Sequence, residues 1–366
     1  MAKIIIINYL CSMKHFVTIL LALLPMQVRA QFWGRIDYPG TPVYDTVKVR
    51  VIGDVMLHKG QLEAAAVPGG YSFSPFLDKI APDLTSADLA VANMEFSLGG
   101  KPYSGYPCFS APDEYASYVL SCGVDVFLTA NNHIMDRGRR GLERTREVYS
   151  RMPVTATWKN PSFVRARGVR LAFVNCTYGT NNPQTDVPDS LRVPLMRDRS
   201  AMLDAIASAR ADGADFVIAF PHWGEEYVLE HNASQREYAE FLCKAGADAI
   251  VGAHPHCVQD FEYIGDVPVF YSLGNAVSNM SAANTQLELM VTLRFVSGTD
   301  FTLRMIEPEY EWLWCSRPGG YCDSYCVLKV KEMMGRRSEW KNPSDYDKMI
   351  STYERIIVTS HLKDLI

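Results

Sequence analysis

Five short apolar runs in this chain each stop at a cluster of polar, chemistry-bearing residues. That repeat constrains the fold more than any other feature. "VKVRVIGD" (47–54) alternates and ends at Asp54, and "ADLAVANMEF" (87–96) ends around Asn93 and Glu95. "VDVFLTANNH" (124–133) ends at Asn131, Asn132 and His133, "ADFVIAFPHWG" (214–224) at His222, and "ADAIVGAHPH" (247–256) at His254 and His256. Nearly continuous apolar runs mark strands covered on both faces. Between them, residues 112–123, 141–152, 199–213 and 233–247 carry apolar side chains at 3–4 spacing, which predicts helices. Strands alternating with helices specify a layered α/β domain. From Val267 onward "VPVFYSLGN", "LELMVTLRFV" and "FTLRMIEP" follow with little helix between them, predicting antiparallel strands on an added sheet. A single domain over about 45–330 and a helical tail over 331–366 is the economical partition.

In open α/β sheets, ligands sit beyond the carboxyl ends of the strands, where loops converge on one crevice. Imidazole, carboxylate and amide oxygen gathered there are the usual donors for Zn, Mn or Fe. The chain has eight histidines, and "GAHPHCVQ" (252–259) places two of them on either side of Pro255. A divalent metal site, of one or two ions, is therefore expected.

The ordered set "GDVML", "NMEFSL", "ANNHIMDRG", "HWGEEY", "GAHPHCVQ" and "YSLGN", spread over residues 48–280, resembles the capsule-synthesis CapA family, also called PgsA-like poly-γ-glutamate biosynthesis proteins. That family is similar in fold to calcineurin-like metallophosphoesterases. The resemblance implies a four-layer α/β/β/α sandwich holding two metal ions. It implies Asp54, Asn132, His222, His254 and His256 as metal ligands and His133 as the acid that protonates a leaving oxygen. Two positions depart from the phosphoesterase pattern. Met56 stands where D-x-H would place a ligand histidine, and the bridging Asp of the second motif is missing, with Asn93 and Glu95 nearby. Glu95 is the candidate to bridge or to bind one ion.

Other residues have two readings each. Glu226 either orients a metal-bound histidine or is a solvated loop acid. Asp136 either fixes the tautomer of His133 or caps a helix. His58 and Lys59 follow "GDVML" and either reach an anionic substrate or lie on the surface. Trp223 packs a pocket wall or stacks on substrate. Ser272 and Asn275 in "YSLGN", with Asn93 and Asn131, are further candidates for substrate contact, Asn275 alternatively for a buried hydrogen bond. Cys257 is read as buried filler.

Composition narrows the class of protein. Apolar residues make up 48% and charged residues 21%, which excludes a disordered or fibrous chain. A net charge of −5 gives no reason to expect nucleic acid. Residues 1–30 carry Lys3, Lys14 and Arg29, no acid, and the apolar core "FVTILLALLP" (16–25), the make-up of a signal peptide cut after Ala30. Met13 directly precedes that core and offers an alternative start. An exported protein, periplasmic or at the cell surface, is expected, and an oxidising compartment permits disulfides. Cys315, Cys322 and Cys326 form the cluster where one is expected.

Three functions fit this reading. The first is an exported metal-dependent hydrolase of capsule or envelope polymer metabolism, acting on a phosphoester or a γ-glutamyl amide. The second is a non-enzymatic accessory subunit that binds an anionic polymer or joins an envelope synthase complex. The third is a secreted phosphoesterase without visible substrate specificity.

Overall fold

A computed structural model describes residues 44–297 and 302–362. The expected signal peptide lies outside these residues. The chain divides into two compact units. One comprises Val47–Phe295 with Met305–Ile366 and holds every site residue discussed below; the other, Met1–Thr46 with Val296–Arg304, lies mostly outside the described residues.

In chain order the strands and helices are β1 (Tyr44–Val55), α1 (Lys59–Ala65), a small hairpin of β2 (Ala66–Val67) and β3 (Gly70–Tyr71), α2 (Ala81–Thr85), β4 (Leu89–Met94), α3 (Asp113–Ser121), β5 (Val126–Leu128) and α4 (Gly138–Ser150). Then come β6 (Thr155–Ala156), β7 (Ser162–Ala166), β8 (Val169–Thr177), α5 (Arg199–Ala211), β9 (Phe216–His222), α6 (Ala233–Ala245), β10 (Ala249–Val251), β11 (Phe261–Ile264) and β12 (Val267–Phe270). The chain closes with β13 (Leu287–Ser297), β14 (Leu303–Ser316), β15 (Cys326–Lys329), the short α7 (Val330–Met333) and α8 (Pro343–Thr359).

Two sheets stack. The first has the order β15-β14-β13-β1-β4-β5-β6, the second β11-β12-β10-β9-β8-β7. Val49, Val51, Val91 and Val126 of the first meet Phe173, Ile218 and Val251 of the second in one apolar layer. On the outer face of the first sheet, Ile52, Ala90 and Phe127 pack with Leu62 of α1, Leu84 of α2, Tyr115 of α3 and Tyr149 of α4. On the outer face of the second, Val174, Val217 and Ile250 pack with Ile206 of α5 and Leu242 of α6. The layer order is thus α/β/β/α, as expected from sequence. Fully burying each of these large side chains contributes roughly 1.5–3 kcal/mol.

Two features differ from the expectation. The later strands make no sheet of their own: β12 pairs in parallel with β10 in the second sheet, while β13, β14 and β15 extend the first. Their apolar faces find cover on sheets that already exist. No disulfide forms in the cysteine cluster either. All three thiols are free, and the Sγ atoms of Cys322 and Cys326 lie 3.4 Å apart. The closing helix α8 buries Met349 and Ile356 in the layer between the sheets. No helix among the described residues is long and apolar enough to cross a membrane.

Strand direction decides where the polar ends gather. β1, β4 and β5 run parallel, as do β8, β9 and β10. The carboxyl ends within each sheet therefore open on the same side, and the tight approach of the two sets needs glycine. A Cβ on Gly53 would lie 2.0 Å from the carbonyl oxygen of Gly274, to which the Asp54 N–H donates at 2.9 Å. Within the second sheet, a Cβ on Gly252 at the end of β10 would lie 2.1 Å from the carbonyl oxygen of Tyr271 at the end of the neighbouring β12.

Candidate metal centre

Asp54 is fully buried at a register shift between β1 and β4. Its Oδ1 accepts from the Asn93 amide at 2.7 Å, and its Oδ2 accepts the His254 backbone N–H at 3.2 Å, so one carboxylate ties the two sheets together. Glu95, one residue beyond β4, is fully buried as well. Its Oε1 lies 3.6 Å from His222 Nε2 and 3.9 Å from His256 Nε2. His256 Nδ1 lies 3.4 Å from Asp54 Oδ2 and 2.9 Å from Asn275 Oδ1. The Oδ1 of Asn132 meets His222 Nε2 at 2.9 Å.

Three overlapping groups of these side chains bring one donor atom each within 4.8 Å of the others: Glu95 with His222 and His254, Asp54 with Glu95 and His256, and Glu226 with His254 and His256. Every member except Glu226 is buried. Burial, followed by the neighbouring imidazoles, holds His222 well below its ordinary value, and burial takes His254 down to about 4. Both rings are therefore neutral at pH 7 and keep a lone pair to give. Burial and then the charge of Asp54 push the Glu95 carboxyl up.

A divalent cation fits this set on two observations. Glu95 Oε1 and His254 Nδ1 are buried atoms with no hydrogen-bond partner, and they belong to the same ligand group. Buried polar atoms are normally satisfied. A cation between these donors satisfies both and relieves the crowding of Asp54 and Glu95.

Beside the donors stands a dyad. His133 Nδ1 lies 2.7 Å from Asp136 Oδ2, leaving Nε2 as the ring atom open to a partner. The Asp136 carboxylate also accepts the Phe109 N–H at 2.7 Å and the Asn181 amide at 3.0 Å. Phe109 packs edge-on against the His133 ring with centroids 4.6 Å apart. These contacts hold the Asp136 carboxylate in one orientation, so its work here is to set the tautomer of His133. A cavity of about 380 Å³ opens beside it, with Met56, His58, His133, Glu226 and His256 in its wall.

The remaining sequence candidates separate. His58 faces the cavity, and burial lowers it to about 4. Asn93 and Asn131 sit behind the donors: Asn131 donates to the Met94 carbonyl at 2.9 Å and to Asn93 Oδ1 at 3.3 Å. Asn275 orients His256 and donates to the Thr285 carbonyl at 3.1 Å. Ser272 is buried, its hydroxyl accepting the Gly274 N–H at 3.2 Å. Lys59 points to solvent and pairs with Glu63 at 3.6 Å, one helical turn away. Trp223 lies in the outer layer, stacked on Tyr271 with its indole N–H on the Tyr271 carbonyl at 2.8 Å, and not in the cavity. Cys257 is buried, and burial raises its thiol to about 12, as suits inert filler.

Sequence reasoning missed four residues. Tyr178, just past β8, lays its ring 4.7 Å from His254 and nearly parallel to His222. Tyr106 and Tyr227, both largely exposed, border the cavity. Asn175 of β8 is buried, and its Oδ1 accepts from the Thr129 N–H, the Ala130 N–H and the Thr157 hydroxyl while its amide donates to the Phe220 carbonyl at 2.7 Å. This one side chain holds the loop of Asn131, Asn132 and His133 against the second sheet. The signal for it was the polar end of "VRLAFVNCT" (169–177), which repeats the strand design without an acid or a histidine. Asn175→Ala is expected to lower stability by about 2–3 kcal/mol, because it leaves buried N–H groups without an acceptor. Guanidinium melts check this, and a change below about 0.5 kcal/mol would refute the role.

The chain is 26% identical over 301 residues to the capsule biosynthesis protein CapA of Bacillus anthracis, covering 76% of this chain and 72% of that one. It is 25% identical over 273 residues to the PGA biosynthesis protein CapA of Bacillus subtilis (strain 168), covering 70% of each. Among solved structures, the calcineurin-like phosphoesterase YfkN from Bacillus subtilis matches with a TM-score of 0.46 and 14% identity over 87% of this chain and all of that one. The model of the bacterial capsule synthesis protein PGA_cap family matches residues 48–280, and the chain belongs to that family.

Proposed function

We propose that this chain is an exported, metal-dependent hydrolase acting on a phosphoester or γ-glutamyl amide of an anionic envelope polymer. The observation that carries the reading is one side of the molecule where Glu95 Oε1 and His254 Nδ1 lie buried and unpartnered beside the His133–Asp136 dyad. Asp54, Glu95, Asn132, His222, His254 and His256 would hold the cation, with Mn, Zn and Fe all suited to such donors. When bound, a divalent ion supplies Lewis-acid stabilisation of negative charge on oxygen and makes water more acidic.

The chain's own residues do the rest. Asp136 accepts the Nδ1–H of His133 and so favours the doubly protonated ring, whose Nε2–H passes its proton to the leaving oxygen or nitrogen as the bond breaks and leaves the ring neutral with its remaining proton on Nδ1. Asn275 keeps His256 from rotating. Tyr106 and Tyr227 offer ring faces at the mouth. The names of the relatives, given for capsule and PGA biosynthesis, support an anionic polymer as substrate. The leader-like segment at 1–30 supports export.

A second reading rests on Met56, which lines the cavity with a thioether where a ligand histidine was expected. On that reading the chain binds polymer as an accessory subunit without turnover. The test is metal content per purified chain, followed by turnover of phosphodiester, phosphomonoester and γ-glutamyl amide substrates with and without chelator. One or two ions per chain and chelator-sensitive turnover are expected. Polymer binding without metal or turnover would establish the accessory role instead.

A further inference from the structure

We propose that Glu226 is a direct ligand of the cation held at His254 and His256, and the ligand through which that cation enters and leaves. This rests on the metal-centre reading above and assigns a residue to it. The Glu226 carboxylate and one nitrogen from each ring lie within 4.8 Å of one another. His254 is 4% exposed, yet its Nδ1 has no partner. A carboxylate and two imidazole nitrogens this close together form a donor set suited to a divalent cation.

The backbone holds this arrangement in place. Five non-glycine residues among those described have positive φ, and three of them meet here: Tyr227 at 69°, His254 at 101° and His256 at 57°. Such conformations cost on the order of 1–3 kcal/mol each and persist only where the surroundings over-determine them. The Tyr227 N–H donates to the Pro255 carbonyl at 2.8 Å, so the loop that carries Glu226 is clamped to the turn that carries both histidines. A simple solvated acid needs no clamp of that kind.

Charge and exposure decide the role. An imidazole binds a cation through a neutral ring nitrogen, so a cation between the two rings needs carboxylate charge from its other donors. Asp54 and Glu95 supply it from the buried side, and Glu226 is the one member of the three ligand groups that solvent reaches. Met56 is in the same cavity wall, but a thioether is a poor donor for a hard divalent ion. Glu226 therefore closes the coordination from outside, and its release frees the ion.

The test uses the purified full chain, loaded with Mn²⁺ or Zn²⁺ at buffered free concentrations. Metal per chain, affinity by competition and the rate of loss to a chelator are measured for wild type, Glu226→Gln and His254→Ala, with thermal melts to confirm folding. Glu226→Gln is expected to weaken metal binding at least about 10-fold and to speed loss to the chelator. Unchanged affinity and release rate would overturn the inference while leaving the metal centre intact, even if turnover falls, since Glu226 would then act on water or substrate alone. A wild-type chain that takes up no metal would overturn the metal centre and this inference together.

Discussion

His133→Ala is expected to lower kcat on whichever ester or amide the protein cleaves by about 10²–10⁴-fold, the usual worth of a positioned general acid. Bound metal should stay at the wild-type level, because His133 belongs to none of the three ligand groups. Its ring is buried with Nδ1 committed to Asp136, so the lost function is proton delivery from Nε2. Asp136→Asn keeps the size of the side chain but no longer fixes the proton on Nδ1, and it should lose activity with the pH profile displaced. A substrate whose leaving group needs no proton would recover most of the rate in His133→Ala. Equal loss on activated and unactivated leaving groups would show that His133 only packs against Phe109.

The second large effect concerns Glu288, a fully buried acid on β13 that none of the proposed steps uses. Its Oε1 accepts the Gly53 N–H at 2.9 Å, directly behind Asp54. Burial pushes its carboxyl up to about 8, against the pull of that N–H and with the Asp54 charge adding to the rise. Between its ordinary value of 4.5 and about 8 the folded chain keeps a proton that the unfolded chain has released. Stability therefore falls as pH rises through this window and levels off above it. Glu288→Gln keeps the acceptor for Gly53 and cannot ionise. Chelator-treated wild type is expected to lose roughly 3–5 kcal/mol relative to the variant between about pH 5 and pH 9, since each pH unit between the folded and unfolded values is worth about 1.4 kcal/mol. Parallel stability curves for the two proteins would show that Glu288 does not titrate with folding.

The strand runs and their polar ends were legible because a strand buried on both faces must be apolar until it leaves the sheet. Asp54, Glu95, His133, His222, His254 and His256 could be named from that break alone. β8 escaped because its end carries Asn175, Cys176, Thr177 and Tyr178, with no acid or imidazole to draw the eye. The placing of β12, β13, β14 and β15 escaped for a different reason: alternation predicts a strand but is silent about which edge it joins. Trp223 and Lys59 show the same limit at single residues. Both neighbour chemistry in the chain, and both turn away from it, one into the outer layer and one into solvent.

By itself, the sequence determined the α/β layering, the donor types and their order along the chain. These follow from local rules of periodicity and from the chemistry of side chains. Only the tertiary structure decided that donors from two different sheets share one buried crevice, that Asn175 and Asn275 hold them still, and that Glu226 faces the histidine pair. Those contacts join residues far apart in the chain, such as Asp54 Oδ2 and the His254 N–H. Such pairings arise from how two sheets pack, which no local pattern encodes.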